Sequence, residues 1–372
     1  DRAATRAEME RMRALVRAGM AAGAFGLSSG PFYVPGSYAP TEELVELARV
    51  AGESGGAYTS HVRDESDYTI GVHAAVDEVI RVAREARVRG VVTHVKALGP
   101  SVWGQGAALV RKIDSARAAG VEVFADQYPY EASSTGLSAA LLPRLAEAGG
   151  ADSLRARLAD PATRARIVAA MRENLARRGG AERIQFAHYR PDRAIEGRTL
   201  RQLADARRAD AVDVALDLLS RGSASIVSFN MDSTDIATLM RQPWTLTASD
   251  GDLVPMGAGV PHPRAYGTFP RKLRKYAVEE GTVDLASAVR SMTSLPATVY
   301  RVADRGVLRA GAYADVVVFD LARLRDRATY TAPHQLAEGM VHVLVNGVMA
   351  VDRGAASRAR GGVVLAREGA GR

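Results

Sequence analysis

From Ala24 to Asp126, short strand-like runs alternate with helical stretches of about 12–18 residues, and this alternation commits the chain to parallel βα units. The runs are Ala24–Gly30, Ala57–His61, Val91–His94 and Val121–Asp126. A helix precedes the first of them: Thr5 and Glu8 form a T-x-x-E capping box, and Met9, Met12, Leu15, Val16 and Met20 recur at helical spacing. Thr41, followed by two glutamates, opens the next helix and Gly55-Gly56 closes it, and two more are expected over roughly 69–87 and 105–119. Later strands are expected at Arg183–His188, Ala224–Phe229 and Trp244–Ser249. Thr199 and Gln202 cap a helix, and residues 282–300 form another behind Asp284. Between 141 and 184 the pattern is helical and rich in Ala and Arg, too long for one βα connection, and reads as an insertion.

Several such units either close a (β/α)8 barrel or extend a doubly wound sheet. No G-x-G-x-x-G or G-x-x-x-x-G-K-[ST] follows any strand, which weighs against a nucleotide-binding sheet. A barrel carries its chemistry at the C-terminal ends of its strands. Three strand ends here offer suitable groups: His61, His94 and Asp250. Neutral imidazoles and a carboxylate are what Zn²⁺ or a similar ion accepts, and a metal-activated water is a hydrolytic nucleophile. A neighbouring aspartate can take the water's proton and return it to a leaving amine. Lys96 stands out because lysine occurs only at 96, 112, 272 and 275, and this one lies in a strand-like segment. Tyr128 and Tyr130 follow another strand and suit either a pocket lining or rim packing. His73, His262, His334 and His342 read as structural, and His188 stays open.

Composition removes other classes. There are no cysteines, hence no disulfide framework, thiolate nucleophile or Cys-based metal site on this chain. No H-E-x-x-H occurs, so zincin chemistry is excluded. No window approaches the roughly 18 continuous apolar residues of a membrane helix, and no apolar secretory region follows Asp1; a cytoplasmic protein without membrane partners is expected. The 49 basic residues against 42 acidic give +7, but the arginines are spread opposite acids (Arg81 and Arg84 with Glu85, Arg164 and Arg166 with Glu173). Such faces read as solvated helices rather than a nucleic-acid surface.

Taken in order, several segments resemble the N-acyl-D-amino-acid deacylase (D-aminoacylase) family of the amidohydrolase superfamily. They are Gly26–Gly30, Thr59-Ser60-His61-Val62-Arg63-Asp64-Glu65, Thr93-His94-Val95-Lys96, Asp126-Gln127-Tyr128-Pro129-Tyr130, Ser249-Asp250-Gly251 and Gly267–Arg271. Met292–Ala297, Asp304–Leu308 and Ala314–Asp320 are similar to that family's junction into a small β domain. The resemblance implies a metal-dependent (β/α)8 TIM barrel with a small β-sandwich. Residues 1–300 would supply barrel strands four to eight, with the helical insertion near 141–184, and residues 301–372 the C-terminal part of the sandwich.

It also implies roles: His61 and His94 as metal ligands, Asp250 as catalytic acid/base, and Lys96, Tyr128 or Tyr130, Ser134 and Arg264 around the substrate. Arg264 suits a substrate carboxylate, because a guanidinium fork matches its planar geometry. The implied cofactor is Zn²⁺, as one or two divalent ions. The implied reaction is hydrolysis of a small-molecule N-acyl-D-amino acid to a carboxylate and a free D-amino acid. Two alternatives remain: a dihydroorotase- or hydantoinase-like cyclic amide hydrolase, and a catalytically inactive amidohydrolase-like fragment acting as an assembly partner.

The match departs from the family in two places. The family's first barrel strand carries a His-x-His pair and a later strand a metal-binding Cys, yet no two histidines here lie two apart and there is no Cys. If Gly26–Gly30 is the fourth strand, strands one to three lie upstream in the same polypeptide, come from a second chain, or are lost. The non-Met start favours an upstream continuation.

Overall fold

A computed structural model describes residues 2–367; the last five residues of the expected 301–372 β domain lie outside the described residues. Helix α1 (Arg6–Ala21) starts from the Thr5–Glu8 capping box read in the sequence, with both reciprocal bonds made. Strands β1 (Gly26–Ser29), β2 (Ala57–Ser60), β3 (Arg89–Val92) and β4 (Val123–Gln127) alternate with α2 (Thr41–Glu53), α3 (Val72–Ala86) and α4 (Gly106–Ala118).

These four strands are parallel neighbours in sequence order, and β8 (Thr245–Thr247) adds beside β4. Successive right-handed crossovers in one direction put their helices on one face of a sheet. In keeping with this, α1 packs on α2, α2 on α3 and α3 on α4. Helix α3 is the most thoroughly enclosed: Val72, Ala75, Val76, Val79, Val82, Ala83 and Ala86 are buried, the three-to-four spacing of a core-facing stripe. They join Tyr58, Val92, Val123, Ala125 and Trp244 in one core. Among the described residues, β1 pairs only with β2 and β8 only with β4.

Between β4 and β8 the chain builds a second unit. Strands β5 (Ser133–Gly136), β6 (Ile184–Tyr189) and β7 (Ala224–Ser228) form an antiparallel sheet in the order β5-β7-β6. Helices α5 (Leu137–Leu141), α6 (Arg144–Glu147), α7 (Gly150–Ala159) and α8 (Pro161–Arg177) fill the span read as an insertion. Helices α9 (Leu200–Arg207) and α10 (Ala211–Arg221) follow β6. Leu137, Leu141, Ile167, Met171, Phe186 and Ile226 close a separate core there. The helical stretch at 141–184 is thus one part of a larger α/β segment, because β7 pairs with β5 on one side and β6 on the other rather than with the parallel sheet.

After α11 (Ser233–Met240) and β8 come α12 (Arg264–Arg271), a π-helical turn over 272–279, α13 (Leu285–Met292) and α14 (Ser294–Tyr300). The single helix expected over 282–300 is therefore two, separated at Thr293, whose φ of −130° and ψ of −90° are not helical. Strands β9 (Val316–Phe319), β10 (Met340–Val345), β11 (Val348–Asp352) and β12 (Ala355–Ala356) form one antiparallel sheet. A sandwich requires two layers; one four-stranded layer is present among the described residues. The connection between β9 and β10 returns to the first unit, burying Leu324 against Leu273 and Ala288. No helix among the described residues is long and apolar enough to cross a membrane.

Candidate metal centre and its cavity

The parallel register places the strand ends level. Ser29 pairs with Ser60, Ser60 with Val92, and Val92 with Ala125. The residues that follow therefore share one edge of the sheet, and the ladder runs on by one bond at each junction: His61 N donates to Ser29 O (3.0 Å) and Thr93 N to Ser60 O (3.0 Å). His61 leaves β2 at this edge, and His94 leaves β3 with φ of +39°. Asp126 fixes that unusual backbone: one carboxylate oxygen accepts from His94 N (2.7 Å) and its carbonyl accepts from Val95 N (2.9 Å).

The loop after His61 contributes a third donor. Arg63 ties it to α3 through Glu78 and to the carbonyls of Ser37 and Ala39 (3.0 and 2.9 Å). Asp64 turns it by accepting from the amides of Ser66 and Gly71 (2.9 and 3.1 Å). Glu65 then faces inward, with its carbonyl held by Leu98 N (2.8 Å). Ligand atoms of His61, Glu65 and His94 all lie within 4.8 Å of one another. His94 Nδ1 is 3.0 Å from Glu65 Oε1 and 2.7 Å from Lys96 Nζ, and Lys96 pairs with the same carboxylate.

Burial drives the His61 imidazole down to a pKa of about 3, so it is neutral through the physiological range. Burial alone would raise the Glu65 carboxyl, but Lys96 and the two histidines around it hold it well below the usual carboxylate range. His61 Nε2 is buried, 3.8 Å from Glu65, and makes no hydrogen bond among the described residues. Buried polar atoms are rarely left unpartnered. An orphaned neutral imidazole nitrogen beside a carboxylate and a second imidazole fits a divalent cation of the zinc type.

Above this cluster lies a cavity of about 330 Å³, also lined by Phe32, Tyr33, Tyr128, Ser133, Ser134, Arg178, Asp250 and Arg264. Asp250 follows β8 with φ of +49°, and its half-exposed carboxylate pairs with the buried Arg264 (2.9 Å). The ion pair is poorly angled, so Arg264 Nη1 makes no hydrogen bond. Arg264 lies 4.6 Å over the Tyr128 ring. Its backbone amide donates to His262 Nδ1 (3.0 Å), while His262 Nε2 reaches Ala132 O (2.9 Å). Non-glycine residues at positive φ cost of order 1–3 kcal/mol and gather at functional sites; here both His94 and Asp250 are such residues.

Of the positions singled out in the sequence, His61, His94, Lys96, Tyr128, Ser134, Asp250 and Arg264 all line this cavity. Tyr130 does not. Its hydroxyl donates to Asp326 (3.1 Å) and its ring packs against Arg271 and His262. His188 is exposed beside Glu196 (3.0 Å), outside the cavity. Glu65, Asp126 and Arg178 were not singled out. For Glu65 the available signal was a carboxylate four residues after a strand-end His, inside a segment already quoted.

Asp126→Ala is expected to destabilise the fold by about 1–3 kcal/mol, since the His94 amide is left buried without an acceptor. Asp126→Asn retains an accepting oxygen and is expected to cost much less. Urea melts of the two variants check this.

A model described as the amidohydrolase family matches residues 1–351. An N-acyl-D-glutamate deacylase of Alcaligenes xylosoxydans xylosoxydans is 37% identical over 340 residues, which is 91% of this chain and 60% of that protein. A crystal structure of D-aminoacylase superposes with a TM-score of 0.81 at 33% identity, covering 98% of this chain and 68% of that one. A crystal structure of N-acyl-D-glutamate deacylase from Bordetella bronchiseptica holds zinc and a phosphonate mimic of the tetrahedral intermediate. It matches with a TM-score of 0.77 at 36% identity, over 94% of this chain and 64% of that one. The chain thus spans between 60% and 68% of the length of these proteins.

Proposed function

The chain belongs to the amidohydrolase family, and from that premise we propose that it takes part in metal-dependent hydrolysis of N-acyl-D-amino acids, releasing a carboxylate and a free D-amino acid. The observation that carries this reading is the convergence of the His61–Glu65–His94 cluster and the Asp250–Arg264 pair on one cavity. Relatives named as N-acyl-D-glutamate deacylase and D-aminoacylase support the substrate class. Zn²⁺ is the assigned cation, on the donor set and on the zinc in one relative's crystal structure.

His61, Glu65 and His94 would hold the cation. When bound, it supplies Lewis acidity that polarises the scissile carbonyl and acidifies the attacking water. Asp250 accepts the proton lost by that water as its oxygen bonds to the carbonyl carbon. It then delivers the proton to the amide nitrogen as the C–N bond breaks. Arg264 and Tyr128, stacked on each other in the cavity, receive the α-carboxylate, with Ser134 of the same lining as a neutral partner. Lys96 neutralises Glu65 and fixes its direction. The ion pair between Asp250 and Arg264 opens when substrate binds, exchanging one carboxylate partner of Arg264 for another.

A panel of N-acetyl-D-amino acids, their L-enantiomers and a cyclic ureide tests the reading. Release of free amine from the D-compounds is expected, with the L-compounds and the ureide inert. Cleavage of the ureide with none of the N-acetyl-D-amino acids would contradict it in favour of a hydantoinase-like reaction.

A further inference from the structure

Three cationic side chains reach the cavity, and two of them are already compensated: Lys96 by Glu65, Arg264 by Asp250. The third, Arg178, is 1% exposed and has no carboxylate within ion-pair distance among the described residues. It sits at the C-terminal cap of α8, so the inserted segment, not the parallel sheet, delivers it. Nε donates to Ala140 O (3.2 Å), and Nη1 lies 3.1 Å from the Asn230 amide oxygen, which Ser133 and Ser228 hold in turn. Nη2 has no acceptor among the described residues. The guanidinium lies 5.8 Å from the ring of Tyr68, whose buried hydroxyl also lacks a partner. Guanidinium cannot shed its proton, so a buried one without a counter-ion is costly unless a ligand supplies the charge.

We infer that Arg178 receives a second carboxylate on the substrate, so that this site favours dicarboxylic N-acyl-D-amino acids over monocarboxylic ones. The inference rests on the deacylase reading, in which the α-carboxylate goes to Arg264. The two guanidiniums are held separately: Arg264 stacks on Tyr128, while Arg178 is anchored to Ala140 and Asn230 in the inserted unit. The second carboxylate sits either on the amino acid's side chain or at the far end of the acyl group. Both present the same planar anion to the same fork.

The test compares kcat/KM for N-acetyl-D-glutamate, N-acetyl-D-glutamine, N-succinyl-D-leucine and N-acetyl-D-leucine. A preference of about 10–150-fold for a dicarboxylate over its neutral counterpart is expected, the worth of a hydrogen bond to a charged group. A glutamate-over-glutamine preference places the carboxylate on the side chain, and a succinyl-over-acetyl preference places it on the acyl group. Arg178→Gln is expected to erase the preference by slowing the dicarboxylate far more than the neutral compound, and Arg178→Lys to restore part of it. Equal turnover of dicarboxylic and neutral substrates by the unsubstituted chain, or an equal fall for both classes in Arg178→Gln, would overturn the proposal. Failure to cleave any member would contradict the deacylase reading itself. Calorimetric binding of D-glutamate against D-glutamine, which needs no turnover, then decides for the side-chain arm, and free succinate against acetate for the acyl arm.

Discussion

Asp250→Asn is expected to lower turnover of the preferred N-acyl-D-amino acid by about 10²–10⁴-fold, the usual contribution of a positioned acid/base, while metal content stays unchanged. The substitution isolates proton transfer. Asn has the same shape and tolerates the left-handed backbone that Asp250 adopts at φ of +49°, so the strand end keeps its course. Asp250 is outside the His61–Glu65–His94 cluster, so the cation's donors are untouched. What is lost is a carboxylate able to take and return a proton, together with the charge paired to Arg264 at 2.9 Å. Loss of that pairing acts on substrate binding, so a change in KM is expected alongside the fall in kcat. Near-native kcat in Asp250→Asn would remove the residue from the acid/base role, and loss of metal would make it a ligand instead.

His94→Ala is expected to weaken metal binding by more than about 100-fold, because outer-shell partners alone account for 10–100-fold in such sites and this removes a direct donor. Metal per chain after dialysis, measured by elemental analysis, provides the readout. His73→Ala supplies the control: His73 lies on α3 with Nε2 3.0 Å from Gln105, outside the cavity, and its removal is expected to leave metal content alone. Full metal retention in His94→Ala would contradict the assignment of His61, Glu65 and His94 as one site.

What the sequence disclosed about this site follows from what a strand end can signal. His61, His94 and Asp250 were legible because each closes a short apolar run, and parallel register brings such closures to one edge. Lys96 and Tyr128 stood out by their place in or after strand-like segments, and the resemblance to a known family gave them substrate-facing roles and added Ser134 and Arg264. Glu65 stayed hidden because its direction depends on Arg63 and Asp64 anchoring an irregular loop, and no local pattern reports that. Asp126 stayed hidden because it acts through a backbone amide. Arg178 lies in an Arg-rich helix among arginines that do pair with acids at the surface, such as Arg164 with Asp213. Only tertiary packing distinguishes the one that is buried. The pair Tyr128 and Tyr130 shows the limit of reading a motif: both were candidates, and Tyr130 bonds Asp326 outside the cavity instead.

The strands were legible and their partners were not. Ile184–Tyr189 and Ala224–Ser228 fall close to where the alternation of residues predicts strands, yet they pair with each other, and the second also with Ser133–Gly136, in a sheet of their own. Pairing is decided by long-range contacts that strand propensity does not encode. The same holds for the connection after β9, whose Leu324 is fully buried against the first unit although its sequence reads as a loop.

The most direct test of the account is release of free D-amino acid from an N-acyl-D-amino acid by the chain as prepared, after exhaustive chelation, and after Zn²⁺ is added back. The account predicts turnover that disappears with the metal and returns with Zn²⁺. Turnover that persists in a chain shown to be metal-free, or its absence from a chain shown to carry metal at His61, Glu65 and His94, would contradict it.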